Sequence, residues 1–285
     1  MTFLRTWLAL SRPGGLPTVW SNCLAGWWLG GGGNTERLPF LFGGATLLYF
    51  GGAFLNDAFD AAFDQDHRRV RPIPSGAIGL ETVSACGLVS LGIGALCLLW
   101  VGTVSGGLGL ALACCIVCYN AIHRVLTLSP ALLGICRFFL YVIGASTAAS
   151  GVTGWSIWCG LALAMYITGA GWVARPETIS GPGRYWPLAP LAAPILLAQI
   201  MDDNGYRQAG LLLSAVLALW TVRSLRPSLW SAEKDIPRTV AGLAAGIIFV
   251  DLLAVANAPR EISVIFLLLF GAALLLQRPT PRRAV

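Results

Sequence analysis

Long apolar stretches separated by short polar loops are the feature that most limits how this chain can fold. A helix needs about 20 apolar residues to cross the hydrocarbon layer of a membrane. On that basis the sequence predicts ten transmembrane helices, although the fourth is short enough to be partly re-entrant. The predicted spans are 14–33, 38–56, 79–101, 104–120, 130–150, 154–173, 185–201, 207–224, 237–256 and 260–277.

Charged residues are too few to cover a water-soluble domain. They make up 11% of the chain, against 56% hydrophobic residues, whereas a soluble domain carries about 25%. The many Trp and Gly residues are typical of membrane interfaces and of closely packed transmembrane helices. We therefore expect a single integral-membrane domain over residues 1–285, all-α, with nine to ten helices.

The distribution of Lys and Arg predicts the orientation. With ten helices and the N-terminus inside, nearly all of these residues fall on one side of the membrane, and this side is expected to be the cytoplasmic one. Nine helices would place the C-terminal Arg cluster outside, so ten are favoured. The exceptions are Arg137, at the edge of a span, and three residues on the other side: Arg37, Arg207 and Arg260.

The same topology explains the net charge of +6, so no nucleic-acid partner is inferred. The eight Cys residues all lie within or at the ends of apolar stretches, and the chain has only two His. This pattern favours packing of small apolar side chains over a zinc site. The first apolar stretch lacks a convincing cleavage site, so it is expected to be a retained helix and not a signal peptide.

An acidic motif follows the second predicted helix, within residues 51–76. Asn56, Asp60 and Asp64 are spaced to form a stripe along a helix, with Asp57 beside it. Carboxylates grouped near a membrane are costly, and a hard cation relieves that cost. Mg²⁺ typically takes one or two carboxylates and shares the phosphate oxygens of a ligand. An ordinary solvated acidic face is the alternative.

A basic run and a rigid turn come next. Residues 72–76, Pro-Ile-Pro-Ser-Gly, cannot be helical and predict a fixed turn that holds Arg71 and the Ser75 hydroxyl towards the acidic site. Ligand binding is favoured for Arg71, and positive-inside topology is the competing explanation for the whole run. That run comprises His67, Arg68, Arg69 and Arg71.

The acidic motif and the turn together resemble the first signature of the UbiA superfamily of intramembrane prenyltransferases. The Arg12–Pro13 pair before the first helix and the helical layout are also similar, so the resemblance covers essentially the whole chain. It implies a helix bundle around a central cavity open to lipid, in which Mg²⁺ and a prenyl diphosphate bind to two Asp-rich loops. Ionisation of the diphosphate would then give an allylic cation that an acceptor captures.

Two parts of the family pattern are altered in this chain. The second Asp-rich segment is replaced by Arg175-Pro-Glu177, which is similar to the EboC-like branch of the superfamily. A conserved Lys of the family, four residues after a Tyr, is also missing. Tyr119 is followed here by His123 and Arg124. Arg can still contact phosphate in a bidentate manner, and a lone His at a helix end favours an interfacial role.

The resemblance assigns candidate site residues. Asp57, Asp60 and Asp64 are the expected catalytic residues. The expected Mg²⁺ ligands are Asn56, Asp57, Asp60, Asp64 and Glu177. The expected diphosphate contacts are Arg71, Ser75, Tyr119, Arg124, Arg137 and Arg175.

Further polar residues lie in or near the predicted spans. The charged side chain of Asp251 would be energetically unfavourable if it faced lipid. Structural pairing with a buried Arg is favoured over a role as proton acceptor. Asn22 either lines the cavity or packs between helices. Asp202 and Asp203 are excluded from the site because the charge count places them on the opposite side.

These observations predict a Mg²⁺-dependent transferase that moves an isoprenyl group from its diphosphate to a lipophilic acceptor, aromatic or quinone-related. Membrane lipid is the surrounding partner. A terpene cyclase requires the same ionising site and remains an alternative. A non-catalytic carrier of a prenyl lipid or metabolite is the alternative from a different class, and the altered second motif favours it.

Overall fold

The computed structural model describes residues 3–180, 183–201 and 206–277, and within these ranges the regular secondary structure is helical. A short helix, α1 (Phe3–Ser11), precedes the bundle. The remaining helices are α2 (Leu16–Leu29), α3 (Leu38–Phe59), α4 (Ala61–His67), α5 (Leu80–Val101), α6 (Thr103–Ile122), α7 (Ser129–Thr147), α8 (Gly154–Val173), α9 (Pro176–Ser180), α10 (Leu188–Leu191), α11 (Ala193–Ile200), α12 (Arg207–Leu229), α13 (Ile236–Ala254) and α14 (Arg260–Leu276).

The ten predicted spans each correspond to helical structure, and the expected all-α bundle is confirmed. Within the described ranges, seven helices are long and apolar enough to cross a membrane: α3, extended from Thr35, and α5, α6, α7, α8, α12 and α13. The fourth span is a continuous helix of 20 residues. That length is sufficient to cross a membrane, so the suggestion of a re-entrant segment is not needed.

Three spans are shorter than expected. The first contains α2, a helix of 14 residues, which stops where Gly31, Gly32 and Gly33 adopt positive φ angles. The seventh is divided into α10 and α11, because prolines at 190 and 194 lack the backbone N–H that a continuous helix needs. The last, α14, has 17 residues.

Glycine allows α2 and α7 to pack with their backbones in direct contact. A Cβ atom added at Gly26 would lie 2.1 Å from the carbonyl oxygen of Tyr141, and one at Gly144 would lie 2.3 Å from the carbonyl oxygen of Cys23. Small residues serve this purpose in membrane helices, where no water is available to drive helices together. The contact brings Asn22 of α2 close to Arg137 of α7.

Replacing Gly26 with alanine should therefore destabilise the bundle. The added methyl group has no space without separating α2 from α7, and we expect a loss of about 2 kcal/mol in unfolding free energy. Gly43→Ala is the matched control, since nothing lies within 4 Å of a Cβ at that position. It should be neutral or stabilising by up to about 1 kcal/mol. Equal unfolding midpoints of the two variants in detergent would contradict the packing argument.

Hydrogen bonds between loops show which ends of the helices lie together. Arg175, after α8, bonds to the loop between α6 and α7, and Lys234, before α13, bonds to the carbonyl of Ile179. Gln277, after α14, donates to the carbonyl of Gly14. These loops therefore lie at one end of the bundle, in agreement with the side that the charge count makes basic. Asp202, Asp203 and the C-terminal Arg cluster fall outside the described residues.

Candidate active site

The acidic motif lies where α3 passes into α4. Helical hydrogen bonding continues across the junction, from the Asp60 amide to Asn56 and from the Asp64 amide to Asp60. Positions seven residues apart differ by only about 20° around a helix, so Asp57 and Asp64 face nearly the same direction. All three Asp side chains are buried, and Asp64 is only 1% exposed.

Arg71 joins two of these carboxylates. Its Nη1 atom lies 3.2 Å from Asp57 Oδ1 and 2.8 Å from Asp64 Oδ2. The turn that carries Arg71 is closed by hydrogen bonds from the amides of Ser75 and Gly76 to the carbonyls of Arg71 and Ile73. Gly76 has a φ of 73°, a conformation that glycine adopts readily. The predicted fixed turn is confirmed, and it directs Arg71 towards the acidic site.

Asp60 faces a different neighbour, the end of α6. Its Oδ1 atom accepts a hydrogen bond of 2.7 Å from Arg124 Nε and lies 3.3 Å from His123 Nε2. The Arg124 guanidinium also lies 3.9 Å from the centre of the Phe63 ring, close enough for a cation–π interaction. His123 is therefore part of the site, whereas an interfacial role was expected.

Arg12 completes the ring of basic residues around the motif. It donates to Asp57 Oδ1, and its carbonyl accepts a hydrogen bond of 2.7 Å from the Tyr49 hydroxyl. Its backbone is left-handed, with a φ of 46°, which is unusual for a residue other than glycine. The 3-10 turn of Pro13–Gly15 follows at once, so the start of α2 positions this guanidinium beside the carboxylates.

A cavity of about 260 Å³ lies between α2, α3, α6 and α7, next to the acidic motif. Its walls are mostly apolar, as a prenyl chain requires. Its polar lining residues are Arg12, Tyr49, Asn56, Tyr119, Asn120 and Arg137. Asn56 and Asn120 hydrogen bond to each other at 3.2 Å across the cavity wall. Of the expected diphosphate contacts, the structure thus brings Tyr119 and Arg137 to the cavity.

Arg137 is held by a buried polar network. It donates to Asn22 Oδ1 at 2.9 Å, and Asn22 donates to Asp251 Oδ2 at 2.7 Å. Asp251 is fully buried and also accepts hydrogen bonds from Ser21 and Tyr141. Asp251 does not pair directly with a buried Arg as expected among the described residues: its partners are hydroxyl and amide groups, and Asn22 links it to Arg137.

Two predicted site residues, Arg175 and Ser75, have other contacts, and a third, Glu177, is exposed. The Arg175 guanidinium donates to the carbonyl of Thr127 at 2.7 Å and to the hydroxyl of Ser129 at 2.9 Å. The Ser75 hydroxyl donates to the carbonyl of Pro72 within its own turn. Glu177 is exposed, and no ion pair involves it in the described part of the chain. Ligand roles for these three residues stay predictions.

The residues of the acidic motif have the chemistry that Mg²⁺ prefers. Asp57 and Asp60 each place one oxygen against an Arg. Asp64 places Oδ2 against Arg71, and its buried Oδ1 atom lies 3.8 Å from Arg68 without a hydrogen bond. No group of three or more His, Cys, Asp and Glu side chains converges on a point in the described ranges. Carboxylate and amide oxygens are nevertheless the ligands of a cation such as Mg²⁺, which takes few protein ligands and completes its shell with water and phosphate.

The fold and the site define a helical membrane protein with an apolar cavity that ends beside buried carboxylates and Arg residues. A family model described as the UbiA prenyltransferase family matches residues 16–278. The chain belongs to that family.

Two solved structures share the fold. One is from a study of a digeranylgeranylglyceryl phosphate synthase in membranes. It has a TM-score of 0.61 and 16% identity, over 97% of this chain and 99% of that one. The other, a UbiA homolog from Aeropyrum pernix K1, has a TM-score of 0.53 and 17% identity, over 92% and 98% of the two chains. No curated protein matches significantly in sequence. The similarity to the EboC-like branch stays a prediction.

Sequence reasoning missed two residues of the site. Arg12 was noted only as part of the segment before the first helix, and Asn120 was not considered. Both could have been suspected, because each is a polar residue beside an apolar span on the side where the acidic motif emerges. Neither has a spacing relation to the motif, so only the folded chain relates them to it.

Proposed function

We propose that this protein is a Mg²⁺-dependent prenyltransferase that moves an isoprenyl group from a prenyl diphosphate to a lipophilic acceptor of aromatic or quinone type. The observation that carries the proposal is the arrangement of three buried carboxylates, each paired with Arg, beside an apolar cavity. Membership of a prenyltransferase family supports the transferase activity. The cation, the substrates and the roles of individual residues are the proposed part.

Different residues of the site would bind the diphosphate and the prenyl chain. Asn56, Asp57, Asp60 and Asp64 would hold Mg²⁺, which when bound neutralises charge on the departing diphosphate. Arg12, Arg71 and Arg124, which pair with the carboxylates in this structure, would contact the phosphate oxygens, because their planar guanidinium groups suit phosphate. Arg137, farther along the cavity, is the fourth basic contact.

The transfer breaks the C–O bond between the allylic carbon and the diphosphate, and the electron pair leaves with the diphosphate. The acceptor's electron pair then forms the new bond to the allylic carbon, and the acceptor loses a proton. Apolar residues such as Leu48, Leu112 and Leu140 line the cavity. They exclude water, which would otherwise capture the cation as an alcohol.

A non-catalytic carrier of a prenyl diphosphate is the second candidate. It is favoured by the replacement of the second Asp-rich segment and by the hydrogen bonds that occupy Arg175. Those bonds hold the loop between α6 and α7, which carries Arg124 at its start. Arg175 would then hold the loop that carries Arg124 beside the acidic motif, without contributing to a second metal site.

Pyrophosphate release distinguishes the two candidates. The purified protein in detergent is supplied with geranyl, farnesyl or geranylgeranyl diphosphate, with and without a quinone-type acceptor, in Mg²⁺ or in EDTA. A prenyltransferase should release pyrophosphate only with Mg²⁺ and form a prenylated acceptor. Binding without release across all substrates would overturn the proposal in favour of a carrier. Release with a cyclic hydrocarbon product and no acceptor would identify a cyclase.

A further inference from the structure

One cavity among the described residues lies away from the acidic motif. It has a volume of about 690 Å³ and is formed by α12, α13 and α14. Its wall contains three Arg residues, Arg223 and Arg226 from α12 and Arg238 from α13, with Trp220 and Trp230 beside them. We call these three residues with Trp220 and Trp230 the basic groove. Nothing in the proposed reaction uses it.

The charges of the basic groove are not neutralised within the described part of the chain, where no ion pair involves any of its three Arg residues. Asp235, in the loop that joins α12 to α13, accepts a hydrogen bond from the backbone of Arg238 and caps α13. Glu233 lies in the same loop, and it lines a smaller neighbouring cavity together with Asp235 and Arg238. Three cations around one cavity repel one another, and an anion bound between them removes that cost.

The side chains around the groove have the composition typical of a membrane boundary. Leu219 and Val222, on the same face of α12 as Arg223 and Arg226, are 72% and 55% exposed, as expected for side chains in contact with acyl chains. Trp230 is half exposed, and Trp is typical of the headgroup level. Arg223 lies 5.3 Å from the Trp220 ring. An anion in the groove would thus have an apolar surface directly beside it.

The groove also lies at the same end of the bundle as the acidic motif. Gln277, which lines it, donates a hydrogen bond of 3.0 Å to the carbonyl of Gly14, two residues from Arg12. Lys234, in the loop at its edge, is bonded to Ile179 and Ser180 of α9. The charge count predicts that this end is the cytoplasmic one, where anionic lipids attract basic residues.

We propose that the basic groove is a binding site for the phosphate headgroup of an anionic phospholipid. The three guanidinium groups contact the phosphate oxygens, and the acyl chains follow the exposed apolar face of α12. The site is separate from the acidic motif and does not depend on the proposed transferase activity. It requires only that the chain spans a membrane, which the family membership establishes.

Native mass spectrometry of the delipidated full-length protein tests the proposal, with phosphatidylglycerol and phosphatidylcholine as competing probes. The triple variant Arg223→Gln/Arg226→Gln/Arg238→Gln should bind phosphatidylglycerol at least about tenfold more weakly than the wild type. The control Arg37→Gln/Arg207→Gln/Arg260→Gln removes the same charge from residues predicted on the opposite side. It should bind within about twofold of the wild type, and phosphatidylcholine should bind weakly to all three proteins.

Three outcomes would overturn the proposal. Equal losses in the two triple variants would show that net charge and not the groove attracts the lipid. Displacement of the lipid by millimolar inorganic phosphate would assign the groove to a free anion. Unchanged binding in the groove variant would place the lipid elsewhere. Should the triple variant unfold, the single change Arg226→Gln keeps the test valid, with a smaller expected loss of about threefold and Arg207→Gln as its control.

Discussion

An Asp60→Asn variant is expected to lose Mg²⁺-dependent pyrophosphate release by at least about 100-fold. Asparagine has nearly the same size and keeps an oxygen that can accept the hydrogen bond from Arg124, so the packing should be preserved. The variant loses the negative charge of Asp60. It therefore loses a ligand for the cation that neutralises the departing diphosphate. The rate is measured by pyrophosphate release at saturating prenyl diphosphate, over a range of Mg²⁺ concentrations.

Asp66→Asn is the control for this variant. Asp66 lies two residues beyond Asp64 on α4 and is exposed, so its removal changes the net charge equally without touching the site. It should retain at least about half of the wild-type rate. Normal pyrophosphate release by Asp60→Asn would refute the assignment of this acidic motif as the ionising site. Equal losses in both variants would trace the effect to net charge.

An Asp251→Ala variant should lose about 3 kcal/mol or more of unfolding free energy. Asp251 is fully buried and accepts hydrogen bonds from Ser21, Asn22 and Tyr141. Its removal leaves the buried Asn22 amide and Tyr141 hydroxyl without this acceptor, whereas Ser21 can still donate to the carbonyl of Thr18. The loss would appear as a lowered unfolding midpoint in detergent, followed by circular dichroism.

The kinetics of the same variant show whether Asp251 positions Arg137 in addition to stabilising the bundle. Asn22, freed from Asp251, would no longer hold Arg137 in the cavity wall. Below the unfolding temperature we therefore expect KM for the prenyl diphosphate to rise about tenfold, with a smaller change in kcat. Asp235→Ala, at the start of the same helix, removes a single capping hydrogen bond. It should cost only about 1 kcal/mol and leave KM unchanged.

Equal unfolding midpoints for Asp251→Ala and Asp235→Ala would contradict the importance of the buried network. An unchanged KM in Asp251→Ala would show that Arg137 is held by other contacts or does not bind the substrate. The two readouts are independent, since one concerns the whole bundle and the other a single side chain.

Much of the fold could be predicted from the chain because hydropathy is a local property. Each of the ten apolar stretches forms helical structure, and Gly and Pro mark most of the breaks. Lengths were less predictable: α2 ends early at a run of glycines, and α10 and α11 are divided by prolines that still allow each piece to be helical. Packing, and not hydropathy, decides whether such short helices persist inside a bundle.

Within the candidate site, local spacing was also informative. The residues from Asn56 to Arg71 lie at the end of α3, in α4 and in the turn after it, and helical hydrogen bonding continues across the junction, so their mutual approach follows from helical geometry. The structure revised the detail, since Asp57 and Asp64 share Arg71 whereas Asp60 turns towards α6. A helical repeat predicts which residues share a face, and the neighbouring helix decides which partner each of them meets.

The sequence by itself determined the membrane class, the helical bundle and the acidic motif with its basic turn. These depend on composition and on contacts between residues close together in the chain. Only the tertiary structure decided that Arg12 and Arg124 meet the carboxylates, that Asn22 links Asp251 to Arg137, and that three Arg residues from two helices form one groove. Those contacts depend on how closely the helices approach one another. Glycine positions such as Gly26 permit the close approach, and no local sequence pattern predicts it.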